Sequence, residues 1–118
     1  MNTILLTLVL TTGLSEAMET RLPSDPHMIY TASFSYEGSK VSIDWRDRSI
    51  VAGRVCRKAS TTQKRSCEAA AMSWLAKECR YYKNMNRPSA KQRDMQNAVC
   101  KAHGDLSQLI EARAVAAR

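Results

Sequence analysis

The side chains best suited to chemistry in this sequence are four cysteines, Cys56, Cys67, Cys79 and Cys100, and seven basic residues lying ahead of and between the first two. Four thiols can pair, hold a metal or supply a nucleophile. Their successive separations of 11, 12 and 21 residues contain no close pair, and the only imidazoles are His27 and His103. Structural zinc sites use ligands about two to four residues apart, so no metal and no cofactor is expected. An even set of thiols in a small chain has a simpler use than nucleophilic catalysis, namely covalent stapling in an oxidising compartment. Cys67 and Cys79 sit within one helical pattern, where 12 residues rise about 18 Å. Bridged Cα atoms lie no more than about 7 Å apart, so these two do not bond to each other. Two connectivities remain, Cys56–Cys67 with Cys79–Cys100, or Cys56–Cys79 with Cys67–Cys100. A helical hairpin turning near residue 87 sets Cys100 opposite about residue 73, midway between the candidates, so register does not choose. The first is preferred because it clips the third strand to the helix start and then ties the helices together.

The basic residues are Arg46, Arg48, Arg54, Arg57, Lys58, Lys64 and Arg65, and Asp47 is the only acid in that window. A charge run is usually a solvated face, but this density suits a contact surface for a negatively charged partner. Aromatic residues do not interleave with it as a base-stacking platform requires. Glu78 falls in the middle of an apolar helix face beside Trp74 and Tyr82. Burial there would disfavour its ionised form unless a cation reached it, and the reading is a buried ion pair rather than a general acid, since no second carboxylate is placed to complete a glycosidase-like pair. Asp44 and Asp47 flank Trp45 near a hairpin end and read as solvated. His103, next to Gly104, reads as a residue at a helix C-terminus, where the dipole favours a protonated ring. Trp45, Trp74, Tyr81 and Tyr82 read as core and rim aromatics. No catalytic residue is assigned.

The elements that must position these residues follow from periodicity. Met28, Tyr30, Ala32, Phe34 and Tyr36 alternate with mostly polar neighbours, Glu37 to Lys40 supply a turn, and Val41, Ile43 and Trp45 repeat the alternation. That pattern is a β-hairpin over about residues 28–46. Ile50, Val51 and Val55 suggest a third strand bent at Gly53. Ser60 and Gln63 are spaced as a capping box for a helix over about 66–84, and Ser89 with Gln92 for a second helix after Pro88. Gly104 then reads as the end of that helix and Asp105 as the cap of a third, running through Leu106, Leu109 and Ile110. The fold class is α+β, a short antiparallel sheet followed by two or three amphipathic helices.

Ahead of the domain, Ile4 to Leu14 is an uncharged apolar run of 11 residues, too short for the roughly 20 needed to span a bilayer, and it leads into Ser15-Glu16-Ala17. Small residues there suit signal peptidase, so residues 1–17 are expected to be a cleaved signal peptide, although the run lacks a preceding Lys or Arg. Residues 18–27 then form a flexible lead-in and residues 28–118 a single domain, with no transmembrane span in the mature chain. Loss of Glu16 with the leader leaves 18 basic and 10 acidic residues, a net charge of +8.

The segment Cys56-Arg-Lys-Ala-Ser-Thr-Thr-Gln-Lys-Arg-Ser-Cys67 resembles the cysteine-bounded turn that opens the small lysozyme-inhibitor domain of the LprI type, which is followed by a helix. The likeness covers this dozen residues; the preceding hairpin departs from it, and a +8 domain is a poor electrostatic match for cationic lysozymes. The resemblance places inhibitor among the binding roles. The expected function is an exported, periplasmic or secreted, non-enzymatic binding protein, inhibitor or immunity-like, that meets an acidic protein or anionic envelope component. The alternative is a small cytosolic nucleic-acid-binding protein with free thiols.

Overall fold

The computed structural model describes residues 29–117. The proposed signal peptide and lead-in, with His27 and Met28, lie outside the described residues. Strand β1 (Tyr30–Tyr36) pairs antiparallel with β2 (Ser39–Arg46), Tyr36 opposite Ser39 and Tyr30 opposite Trp45. The connection is the two-residue turn Glu37-Gly38, with φ of 49° and 79°. Positive φ at both central residues is what a type I′ hairpin turn demands, and its twist matches that of the strands. A second turn of the same length, Asp47-Arg48 with φ of 53° and 61°, leads into β3 (Ser49–Ile50), which pairs with the far end of β2. The order in the sheet is β1-β2-β3.

The expected third strand is thus shorter than Ile50 to Val55. After Ile50 the chain stays beside β2 through two isolated bonds, Val51 N–H to the Asp44 carbonyl and Cys56 N–H to the Ser42 carbonyl, both 2.9 Å. Between them a 3-10 turn, Ala52–Arg54, lifts the backbone off the ladder.

Helix α1 (Lys64–Lys83) and helix α2 (Ala90–Ala116) form an antiparallel pair against one face of the sheet. Cys67, Ala70, Ala71, Trp74, Leu75, Glu78 and Tyr82 are the buried stripe of α1, spaced at three and four residues as one face of a 3.6-residue helix requires. Trp74 reaches the sheet, its ring 4.9 Å from that of Phe34. The expected box from Ser60 and Gln63 does not form. Gln63 is itself the N-cap without a side-chain bond, and the Ser60 hydroxyl lies 3.1 Å from that of Thr62. The box at the start of α2 does form: Ser89 Oγ accepts from Gln92 N at 3.1 Å, and the Ser89 N–H donates to Gln92 Oε1 at 2.8 Å. Pro88, lacking an N–H, keeps the chain from continuing as helix out of α1.

Gly104 does not end a helix. Leu106, 1 % exposed, continues the buried stripe of Met95, Ala98, Val99 and Ala102. Burying such a side chain contributes about 1.5–3 kcal/mol, which outweighs the roughly 1 kcal/mol a helical glycine costs relative to alanine. Two helices result, and His103 stands inside α2 rather than at a C-terminus.

Two disulfides close the structure. Cys56–Cys67 joins the sheet-side segment to the start of α1, and Cys79–Cys100 joins α1 to α2. This is the preferred connectivity, and it suits a non-reducing environment. Among the described residues no helix is long and apolar enough to cross a membrane.

Candidate functional site

Strand β2 is buried on both faces from Val41 to Trp45. Val41, Ile43 and Trp45 belong to the hydrophobic core. Ser42 and Asp44 alternate with them and belong to the opposite face, yet both are buried. What covers Asp44 is the basic segment itself. Arg54 Nε donates to Asp44 Oδ2 at 2.6 Å, Arg57 Nε donates to the same oxygen at 2.7 Å, and Thr31 Oγ1 donates to Oδ1 at 2.7 Å. Arg57 Nη2 also reaches Thr31 Oγ1 at 3.2 Å. The expectation of a solvated Asp44 is corrected by this network, since its side chain is 0 % exposed. Burial is the largest single influence on its carboxyl and acts to raise the pKa. The hydrogen bonds from Arg57, Thr31 and Arg54, with the charge of Arg57, together outweigh it and hold the group below the usual aspartate range.

The seven basic residues divide into three groups. Arg54 and Arg57 are fixed on Asp44 while their side chains stay 45 % and 38 % exposed. Arg48, at the second turn, pairs with Asp94 of α2 at 3.4 Å. Arg46, Lys58, Lys64 and Arg65 form no ion pair among the described residues, and all but the half-buried Lys64 are exposed. The sequence window is therefore not one uniform patch. Two guanidiniums are anchored by a buried carboxylate; of the unneutralised cations, Lys58, Lys64 and Arg65 lie in the loop into α1 and its first turn, while Arg46 stands at the end of β2.

Beside that loop a cleft of about 370 Å³ opens between the tip of the β1–β2 hairpin and the start of α1. Lys40 and Ser42 line it from β2, Lys58 from the loop, and Gln63 and Ser66 from the helix start. Its lining includes no Asp or Glu. Glu37, next to the lining residue Gly38, accepts from Ser73 Oγ of α1 at 2.6 Å. The Ser42 hydroxyl is buried and has no hydrogen-bond partner among the described residues. Nothing in the sequence alone pointed to this cleft, because Lys40 is 18 residues from Lys58 and in a different element. The period-two pattern of β2 was the available signal, since it separates Ser42 from the core face.

Glu78 is buried, 6 % exposed, as its helical position implied. The other acid of that helix, Glu68, accepts from Arg113 Nη2 at 2.7 Å. Among the aromatics Trp45, Trp74 and Tyr82 are core residues, while Tyr81 is 48 % exposed and packs edge-on to Tyr82 at 5.0 Å. Comparison with protein-family models, with curated proteins and with solved structures finds no match for the chain.

Proposed function

We propose that the protein is an exported, non-enzymatic binding protein of an inhibitor or immunity-like kind, periplasmic or secreted, whose basic strand-to-helix surface contacts an acidic protein or an anionic envelope component. The observation that carries the reading is the anchoring of Arg54 and Arg57 on buried Asp44. The bonds made to the carboxylate go through Nε of each guanidinium, which leaves most of each fork, five donors in all, for another acceptor. Arginines held in place in advance lose less side-chain entropy on binding than free ones. Arg46, Lys58, Lys64 and Arg65 extend the same positive field, and a net charge of +7, or +8 once Glu16 leaves with the leader, attracts acidic macromolecules at long range.

Export is supported by the apolar run Ile4 to Leu14 and by the pairing of all four cysteines. The test has two parts. The exported product is expected to have the mass of a chain starting at Met18 less four hydrogens. In a pull-down from envelope extract, the Lys58→Glu/Arg65→Glu double variant is expected to lose salt-sensitive partners that the wild type retains. Equal capture by both, insensitive to salt, would overturn the reading. A captured signal destroyed by nuclease would instead establish the nucleic-acid alternative, since phosphate contacts release counterions and are steeply salt-dependent.

A further inference from the structure

We infer that the free edge of β1 is a docking site for an extended segment of an acidic protein, which joins the sheet as a further strand and sets two carboxylates, four residues apart, against Arg57 and Lys40. This rests on the reading of the basic surface as a contact for an acidic partner, and it names the backbone form in which that partner is met.

Among the described residues β1 pairs on one side only, with β2. Which of its backbone groups face outward follows from β2. The carbonyls of Ser42 and Asp44 accept from the N–H groups of Cys56 and Val51, on the side of β2 away from β1. In an antiparallel ladder a residue whose backbone groups point away from its partner belongs to a non-hydrogen-bonded pair, so the partner's groups point away as well. Thr31 stands opposite Asp44, Ser33 opposite Ser42 and, at the same alternation, Ser35 opposite Lys40. Thr31, Ser33 and Ser35 therefore turn their N–H and C=O groups out of the edge in one row. Sheet edges are ordinarily blunted by lysine, proline or a bulge. Tyr30–Tyr36 has no charged residue, no proline and an unbroken register, and both serines are exposed, so the row can accept another strand.

The charge of the partner follows from the side chains on the same face. Arg57 Nη2 reaches Thr31 Oγ1 at 3.2 Å while its Nε stays on Asp44, which fixes a guanidinium beside one end of the edge. At the other end Lys40, opposite Ser35, is exposed and forms no ion pair among the described residues. A residue of an added strand directly opposite Thr31 has its Cβ about 5 Å from that of Thr31, so a glutamate there meets the open part of the Arg57 fork. A glutamate opposite Ser35 faces Lys40 across a side chain too short to keep them apart. Thr31 and Ser35 are separated by about 13 Å of strand, which sets the spacing of the two acids. A second copy of this chain fits less well: β1 has no acid to offer these cations, and two chains of net charge +7 repel.

The experiment measures amide hydrogen exchange in the disulfide-bonded protein, alone and with a blocked seven-residue peptide that has glutamate at its second and sixth positions and valine or threonine elsewhere. In the free protein the amides of Thr31, Ser33 and Ser35 are expected to exchange fast and those of Ala32 and Phe34 slowly, and the peptide is expected to slow the first three. The same peptide with lysine for glutamate is expected not to bind. Lys40→Gln should weaken binding about two- to fivefold, as loss of an exposed ion pair does. Ser33→Pro removes an outward N–H from an edge strand, where proline is tolerated, so it should abolish binding while the melt stays cooperative. Should that variant fail to fold, N-methylating the peptide on alternate residues tests the same bonds on the unaltered protein: blocking one set of its N–H groups should abolish binding and blocking the other should not. Equal binding of both methylated forms, equal binding of the lysine peptide, or protection of Thr31, Ser33 and Ser35 by self-association of the free protein would each overturn the proposal. Strand addition by the peptide without salt-sensitive capture of acidic macromolecules would overturn the wider functional reading alone. Salt-sensitive capture that persists when the peptide does not bind would overturn the edge site alone.

Discussion

Arg57 Nε donates to Asp44 Oδ2 at 2.7 Å, and the carboxylate it reaches carries no exposed surface. This bond joins the turn that follows the 3-10 segment to the sheet face opposite the helices, and with Arg54 and Thr31 it turns a run of basic residues into part of the fold. Asp44 is ionised on folding, because its donors hold the pKa below the usual value against the upward pull of burial.

Replacing Asp44 with Asn should therefore destabilise the protein at neutral pH. Breaking a fully buried ion pair costs about 3–5 kcal/mol. Here the guanidiniums are partly exposed and screened, so roughly 2–3 kcal/mol is expected. The sign of the pH dependence follows from the lowered pKa. The contribution is complete above the unfolded aspartate value of about 3.9 and is lost as pH falls through the lower folded value. Urea unfolding of both proteins should show a gap at pH 7 that narrows on acidification below about pH 4. A gap constant across that range would show that Asp44 acts by packing alone.

Asp44 also shows how far the sequence was legible. The alternation Val41, Ile43, Trp45 defines one buried face of β2 and, read alone, leaves the other face to solvent. Its burial comes from Arg54 and Arg57, 10 and 13 residues away, through contacts that period-two patterning does not encode. The turn Asp47-Arg48 lacks the glycine that marks Glu37-Gly38, so the second hairpin had no residue signal as strong as the first. Helix register was off for a related reason. Cys79 faces Cys100, not residue 73, because the first turns of α2 extend beyond the end of α1 to the side of the sheet, where Asp94 meets Arg48. Apolar stripes, the box at Ser89 and the exclusion of a Cys67–Cys79 bond depend only on local spacing, and these were readable. The cleft depends on a strand and a helix end meeting, and was not.

The two disulfides should contribute comparably. Loop-closure entropy assigns about 3 kcal/mol to a 15-residue loop and changes slowly with length, so closures of 11 and 21 residues bracket that value. Removal of either pair, as Cys56→Ala/Cys67→Ala or Cys79→Ala/Cys100→Ala, is expected to lower stability by about 3 kcal/mol, measured by denaturant unfolding. Reductant should lower the wild-type melting temperature and leave each doubly substituted protein with a smaller further loss.

Two glycines should respond in opposite directions to the same change. Gly38 has φ of 79°, and an added Cβ there meets nothing within 4 Å, so the cost of Gly38→Ala is conformational, about 1–2 kcal/mol. Gly104 lies inside α2 with equally open space, and Gly104→Ala should stabilise by about 0.5–1 kcal/mol. Thermal melts of the two variants decide this. A loss of stability at Gly104 would indicate that α2 is interrupted there in solution.

Charge reversal should separate anchored arginines from contact arginines. Arg57→Glu sets a second carboxylate against buried Asp44, so it should cost several kcal/mol of stability, and any binding it loses is confounded by loss of fold. Arg65 is exposed and forms no ion pair among the described residues, so Arg65→Glu should change stability by no more than about 0.5 kcal/mol. Its effect should appear in binding: on a sulfated-polysaccharide column it is expected to elute at lower salt than the wild type. The difference should shrink as the screening length falls from about 10 Å at 0.1 M salt to about 3 Å at 1 M. Lys101→Glu, which breaks an exposed pair with Asp105 on α2, makes the same change in net charge away from the loop. If it elutes with Arg65→Glu, net charge governs retention and the strand-to-helix surface has no special part in it. If it elutes nearer the wild type, the contact lies where Arg65, Lys58 and the start of α1 meet.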